Sequence, residues 1–369
     1  MEERRRVLKL VEEGKITAEE ALILLEQLEQ VSEEKKKKVD EMVTALSTKI
    51  ELEEAGEKEP TPVKWSSLKE KLFGFLDITV RKLKDFDLDF NFGPHYEVRH
   101  IFQQSSTPFQ TIDIEIANGG VKVIPWDESE VRVECDARVY KVESQEAARH
   151  SFLRNAVFTL DNGHFRFLVP KQHLKVDTTI YIPEELYEDG NIRIFNGDVH
   201  ITKLRMKKAH LKAVNGAITA EGCSGEKAQF ETVNGAIKIK HSSINNLEVE
   251  NINGLIDISG EYQKVNMQSF SGSIIGRLEE IEGGAILAKT VTGSVTLFLP
   301  EGIHLEGEFK SNIGGFLYDY PGITVINEKN ETIQKWLRFQ AHPDRNRTTH
   351  IYADTKTGSI SLKMTGEAV

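Results

Sequence analysis

Phe195-Asn196-Gly197, Val214-Asn215-Gly216, Val233-Asn234-Gly235 and Ile252-Asn253-Gly254 recur every 19 residues, and this stretch decides the fold. Phe270-Ser271-Gly272 follows after 18 residues and Val291-Thr292-Gly293 after 21, while Lys356-Thr357-Gly358 opens a similar unit near the C-terminus. Each triplet is followed by a small residue and an alternating apolar run, such as Ala217-Ile218-Thr219-Ala220 or Ala236-Ile237-Lys238-Ile239. A second short run precedes the next triplet, as in Leu247-Glu248-Val249-Glu250. One unit of this size cannot bury its own apolar residues, but stacking units on one another can, which is the logic of a β-solenoid. In that reading Val and Ile fill the bore and charged residues face out. Each Asn-Gly turns a corner, with Gly supplying positive φ and Asn tolerating left-handed geometry while bonding the stacked Asn of the next rung. Asn196, Gly197, Asn215, Gly216, Asn234, Gly235, Asn253 and Gly254 are therefore expected to be structural. An Asn-Gly pair also suits a two-residue hairpin. The strict period favours parallel stacking over an antiparallel sandwich.

Period-two alternation extends outward from the repeat, through Ile112–Ile116, Val131–Val133, Phe165–Phe167 and Thr179–Ile182, with one short helix expected around Ser144–Ala156. The expected architecture is mainly β: a solenoid of about 19-residue rungs over residues 93–369, preceded by helical segments. Residues 1–31 read as a helical hairpin. Val7, Leu8, Leu10 and Val11 share one face, Gly14 ends the first helix, and Thr17-Ala18-Glu19-Glu20 is a capping box for the second. Ala21, Leu22, Leu24, Leu25 and Leu28 supply its apolar stripe. So short a hairpin buries little alone, which points to self-association or a protein partner.

Residues 32–64 form a charged linker with a sparse stripe of Val39, Met42, Val43, Leu46, Ile50 and Leu52, readable as helix or as linker, and Pro60-Thr61-Pro62 ends it. Residues 65–92 combine a basic amphipathic helix with a leading strand. Trp65, Leu68, Leu72, Phe75, Leu76 and Leu83 lie on one face, with Lys69, Lys71, Arg81, Lys82 and Lys84 around them. That composition suits contact with an anionic membrane surface, but the default reading is a helix that covers the solenoid's open end, where unpaired strand edges need covering. Phe86–Phe92 then alternates as a strand, and Asp85, Asp87 and Asp89 on one of its faces read as solvated carboxylates.

Charge and motif content narrow the function. The 369 residues carry 47 Lys+Arg against 58 Asp+Glu, a net charge of -11, without the basic footprint that nucleic-acid binding needs. Two cysteines without CxxC spacing argue against a disulfide framework or a zinc-thiolate site. The sequence contains no GxxxxGK[ST], HExxH or GxSxG motif, and its eleven histidines are scattered. No cofactor, metal or catalytic residue is therefore expected. The N-terminus lacks an apolar signal region and no run of 18 apolar residues follows, so the expected location is cytoplasmic with any membrane contact peripheral.

The joint pattern of Gly14–Ala21 in a short hairpin, a charged linker and Asn-Gly rungs resembles the YvlB/LiaX-like proteins of Gram-positive bacteria. These join a helical N-terminal module to an adhesin-type β-repeat domain. The resemblance implies a non-enzymatic role in the cell-envelope stress response to membrane-active antibiotics and antimicrobial peptides. It leaves cell-surface display open. A carbohydrate-active or glycan-binding β-helix acting on cell-wall polymer is the alternative. It requires a groove of carboxylates and aromatics, for which Trp126, Tyr262, Phe316, Tyr318 and Tyr320 are the candidates. A purely structural oligomer is a third reading.

Overall fold

In the computed structural model the described residues are 7–9, 11, 12, 21, 22, 25, 33, 35–39, 93–105, 108–281, 283–331 and 334–366. The alternating runs form two long sheets of mostly parallel strands. The first stacks β6 (His164–Val169), β2 (Thr111–Asn118), β8 (Leu186–Asn196), β10 (Arg205–Asn215) and β12 (Ser224–Asn234). It continues through the second halves of β13 (Ile237–Asn253) and β14 (Ile256–Ser271), then β16 (Ala285–Thr292), β22 (Thr348–Thr355) and β18 (His304–Ser311).

The second sheet runs β7 (Leu174–Pro183), β3 (Val121–Trp126), β9 (Val199–Thr202), β11 (Ile218–Glu221) and the first halves of β13 and β14. Beyond them lie β15 (Ile274–Glu280), β17 (Val295–Leu299), β23 (Ile360–Met364) and β19 (Phe316–Asp319). Leu186 pairs Arg205, Arg205 pairs Ser224 and Ser224 pairs Ser243, so the 19-residue sequence period is the stacking register. Parallel stacking, not an antiparallel sandwich, holds the repeat together.

A single core lies between the sheets. Leu211, Ala213, Ile218, Ala220, Phe230, Ile237 and Ile239 all belong to it, and the residues between them face out. Side chains alternate sides along a strand, so one face of every rung is buried and the other solvated.

The chain reverses its order at both ends. β2 and β3 lie between β6/β7 and β8/β9, although residues 127–185 intervene between β3 and β8 in sequence. At the other end β22 and β23 insert between β16/β17 and β18/β19. Antiparallel strands cover three of the four sheet ends, while among the described residues β19 pairs only β23. β1 (His95–Ser105) pairs β4 (Glu130–Tyr140), which pairs β7, and β5 (Val157–Asp161) pairs β6. β20 (Ile323–Lys329) pairs β21 (Lys335–Ala341), which pairs β18. The sheets stay open. Antiparallel ends interrupt the template that a stack of parallel rungs would otherwise offer to another chain.

The expected helix is α1 (Gln145–Asn155), whose Ser144 hydroxyl accepts from the Ala147 amide at 3.1 Å as an N-cap. Its Phe152 is buried beside Phe102, which stacks on Phe158 with ring centres 5.5 Å apart. Two residues of the expected N-terminal stripes need correction: Val7 and Ala21 are buried as expected, but Leu8 and Leu22 are exposed. Val7, Val11, Ala21 and Leu25 cluster with Ile313 of the β region. In the linker, Lys35–Val39 is helical.

Candidate functional site

Two features of the outer surface could serve recognition: the Asn corner and a groove across the first sheet. At the corner, the Asn196 amide donates to the Asn118 carbonyl oxygen at 2.7 Å, and Asn215 donates to Asn196 at 2.8 Å. Asn234 donates to Asn215 at 2.9 Å and Asn253 to Asn234 at 2.8 Å. The amides of Asn196, Asn215 and Asn234 are thus both donor and acceptor to their stacked neighbours, while Asn118 donates to the Gln172 carbonyl. Ser271 and Thr292 end the ladder, joined hydroxyl to hydroxyl at 3.1 Å. The adjoining glycines hold φ of 142° at Gly197, 159° at Gly216, 154° at Gly235 and 143° at Gly254. A Cβ on Gly235 would run into the Gly216 carbonyl oxygen, and one on Gly216 into that of Gly197.

The Asn residues themselves are not left-handed; among the described residues the positive-φ non-glycines lie elsewhere. Lys203, Gly222, His241 and Gly260, with φ of 51°, 64°, 47° and 138°, follow one another at the rung period and turn the opposite corner. Sequence reasoning missed that corner, because two of its four positions are not glycine.

The groove measures 710 Å³ and crosses the outer face of the first sheet beneath β20 and β21. Its floor follows one register line, Leu247, Val265, Ile286, Ile351, Gly307 and Phe339, in which each residue pairs with the next. Outward side chains between them form the walls: Glu248, Lys264, Glu306, Arg338, His350 and Tyr352, with Ile326 over the edge. Lys227 pairs with Glu248 at 3.3 Å and His350 approaches Glu306 at 3.7 Å. Lys289 and Lys310 each place an ammonium 5.2 Å from the Tyr352 ring centre, fixing that aromatic by cation–π contact. Charges of both signs around one tyrosine suit this groove to binding a polar chain.

The aromatics expected to line a glycan groove do not converge. Trp126 packs on Tyr181 near the N-terminal end, and Tyr262 is buried with its hydroxyl donating to the Ser259 carbonyl. Tyr320 is buried and donates to the Pro300 carbonyl at 2.6 Å, while Phe316 packs on Phe309. Both thiols are buried: burial pushes Cys135 up to about 12, and burial also raises Cys223. His100 and His173 lie below the ordinary imidazole value, chiefly through burial, with Arg149 acting on the first and Lys171 and Lys141 on the second.

Trp65, Leu68, Lys69, Lys71, Leu72, Phe75, Leu76, Arg81, Lys82, Leu83 and Lys84 lie outside the described residues, as do Asp85, Asp87, Asp89 and the strand expected over Phe86–Phe92. Among the described residues no helix is long and apolar enough to cross a membrane, and no cluster of His, Cys, Asp and Glu could hold a metal ion.

Comparison with known proteins matches residues 109–363 to the family model described as Toastrack DUF4097, and residues 2–33 to a SHOCT-like domain. The YvlB protein of Bacillus subtilis (strain 168), itself described as uncharacterized, is 46% identical over 365 residues, spanning 98% of each chain. Among solved structures, a "putative adhesin" from Parabacteroides distasonis ATCC 8503 matches at 10% identity and TM-score 0.37, covering 72% of this chain and 97% of that one. A "putative lipid binding protein" from the same organism matches at 12% identity and TM-score 0.32, covering 73% and 95%. The parallel rungs, the Asn corner and the relationship to YvlB together place this chain in the Toastrack DUF4097 family, in its YvlB-like branch.

Proposed function

We propose that the protein is a non-enzymatic scaffold or sensor of the bacterial cell-envelope stress response. The solenoid binds its partner on the outer face, the N-terminal module self-associates, and the basic Trp65–Phe86 segment touches anionic lipid. The groove carries this reading. It is built across stacked rungs, so it is a rigid surface, and Lys227 and Glu248 on its wall hold each other as an ion pair. A basic segment with Trp, Phe and Leu on one side adsorbs to anionic bilayers through buried apolar area and Coulomb attraction.

Co-sedimentation of the full chain with anionic and neutral vesicles tests the membrane part. Binding should occur on anionic vesicles only, weaken as salt rises, and disappear when Lys69, Lys71, Arg81, Lys82 and Lys84 are all replaced by Glu. Undiminished binding by that variant contradicts the role given to the segment. The groove supports the glycan-binding alternative only if the protein is retained on purified cell-wall polymer and Tyr352→Ala abolishes retention.

A further inference from the structure

The two sheets do not finish level at the C-terminal end of the solenoid. β18 and β19 belong to one rung, since they pair β22 and β23, which in turn pair β16 and β17. Past β18 the first sheet gains β21 and then β20. Past β19, among the described residues, the second sheet gains no strand. The first sheet therefore overhangs the second by two strands, about 10 Å at roughly 4.8 Å each. The opposite end is filled instead by side chains: Phe102 of β1 stacks on Phe158 of β5, with Phe152 of α1 beside Phe102.

Both sides of the step are apolar. Leu317 and Tyr318 on β19 are 56% and 41% exposed, and Val325 and Ile326 on β20 are 37% and 52% exposed. They are four of the ten large hydrophobic residues exposed among the described residues, all gathered within residues 317–326. Among the described residues β19 pairs only β23 and β20 only β21, so each strand has one edge outside the ladders. The charges that shield such edges stand at the margins here: Asp319 ends β19, and Glu328 and Lys329 end β20.

Faces and directions also agree. Tyr318 pairs the buried Leu362 and Val325 pairs the buried Phe339, so both belong to the core side of their sheets. Leu317 takes the outer side beside Ser361, and Ile326, the extra residue of a bulge, borders the outer groove. Each rung must return to the start of the next, so its two strands run in opposite directions and β19 runs against β18. β20 runs with β18, two antiparallel pairings away. β19 and β20 are thus opposed in direction.

We propose that this step is an interface between two copies of the chain, joined end to end about a two-fold axis along the strands. Such a rotation exchanges the two sheets and keeps strand direction. Each copy's overhang then fills the other's step, β20 lies antiparallel to the second β19, and both sheets run unbroken through the pair. Tyr318 comes opposite Val325 of the partner subunit and Leu317 opposite Ile326 of the partner subunit, each pair on one face. Asp319 then meets Thr324 of the partner subunit, so no like charges oppose one another. A second copy is the occupant because the step is its own complement, and the contact closes at two chains. It needs neither N-terminal self-association nor a groove ligand nor lipid.

Two full-length single variants, Leu317→Cys and Ile326→Cys, test the interface; the native Cys135 and Cys223 are buried. Equilibrated together and mildly oxidised, they should give a disulfide-linked dimer with one chain of each kind. Either variant alone should give at least tenfold less. No link in the mixture, when both new thiols accept a maleimide before oxidation, overturns the proposal, and so does equal linkage in all three samples. Folded Leu317→Lys with Ile326→Lys should lose one association step in sedimentation equilibrium, dimer to monomer, or tetramer to dimer where N-terminal modules also associate. An assembly mass equal to that of the unsubstituted protein overturns the interface, whether that protein is monomeric or held together by its N-terminal modules alone.

Discussion

Replacing Gly235 by Ala is expected to destabilise the solenoid by about 3 kcal/mol or more, combining a strained backbone with a steric conflict. At φ of 154° the residue lies where L side chains rarely go, and its Cβ would meet the Gly216 carbonyl oxygen of the neighbouring rung. That neighbour is backbone, fixed by the Gly216 amide donating to the Asn234 carbonyl at 2.8 Å, so it cannot swing away as a side chain would. Gly163→Ala is the control. Gly163 also has positive φ, at 80°, but nothing lies within 4 Å of its Cβ position. It should cost only about 1 kcal/mol, the conformational part alone. Thermal unfolding should fall by roughly 6–12 °C for Gly235→Ala, since a domain of this size loses about 2–4 °C per kcal/mol. Equal shifts for the two variants would show that rung contact adds nothing.

Phe230→Ala should have the other large effect, about 3–5 kcal/mol in denaturant unfolding, because it opens a cavity that the stacked rungs cannot close. Phe230 is 1% exposed in β12, with Leu211 and Val249 paired to it in the rungs on either side. All three are held by ladder bonds along both edges, which limits collapse into the void. Its neighbour Gln229 points outward, and Gln229→Ala should change stability by no more than about 0.5 kcal/mol. A contrast this sharp between adjacent residues follows from the alternation of faces.

The central rungs were legible in sequence for a physical reason. Their stacking register equals their sequence period, so spacing alone gave the partners of Asn215 and Leu211. The same dipeptide has two meanings, however. Asn162-Gly163, with φ of 49° and 80°, turns the hairpin between β5 and β6, whereas Asn234-Gly235 turns a corner between stacked rungs. Only repetition separates the two cases. The order reversals at both ends were not legible, because residues 95–183 and 300–355 lack the period and their pairing comes from contacts distant in sequence.

The column of Val214, Val233 and Ile252 was misread for a related reason. Valine and isoleucine suggested the bore, but parity with Leu211 and Ala213 turns these residues outward. Val39, more than 170 residues away in sequence, packs on this cluster. The groove was likewise invisible. Its walls combine Glu248, Glu306, Arg338 and Tyr352 from four strands, and no local pattern joins them.

The central claim is that the Asn-Gly units stack in parallel, one rung apart, to form one rigid surface. Spin labels at Asn191 and Asn266 test it most directly. Both face outward on the same register line, through His210, Gln229 and Glu248, four rungs apart. Pulsed electron–electron resonance should give a narrow distribution centred near 19 Å, four steps of about 4.8 Å. A broad distribution, or a mean beyond roughly twice that rung-to-rung sum, would contradict parallel stacking and the scaffold built on it.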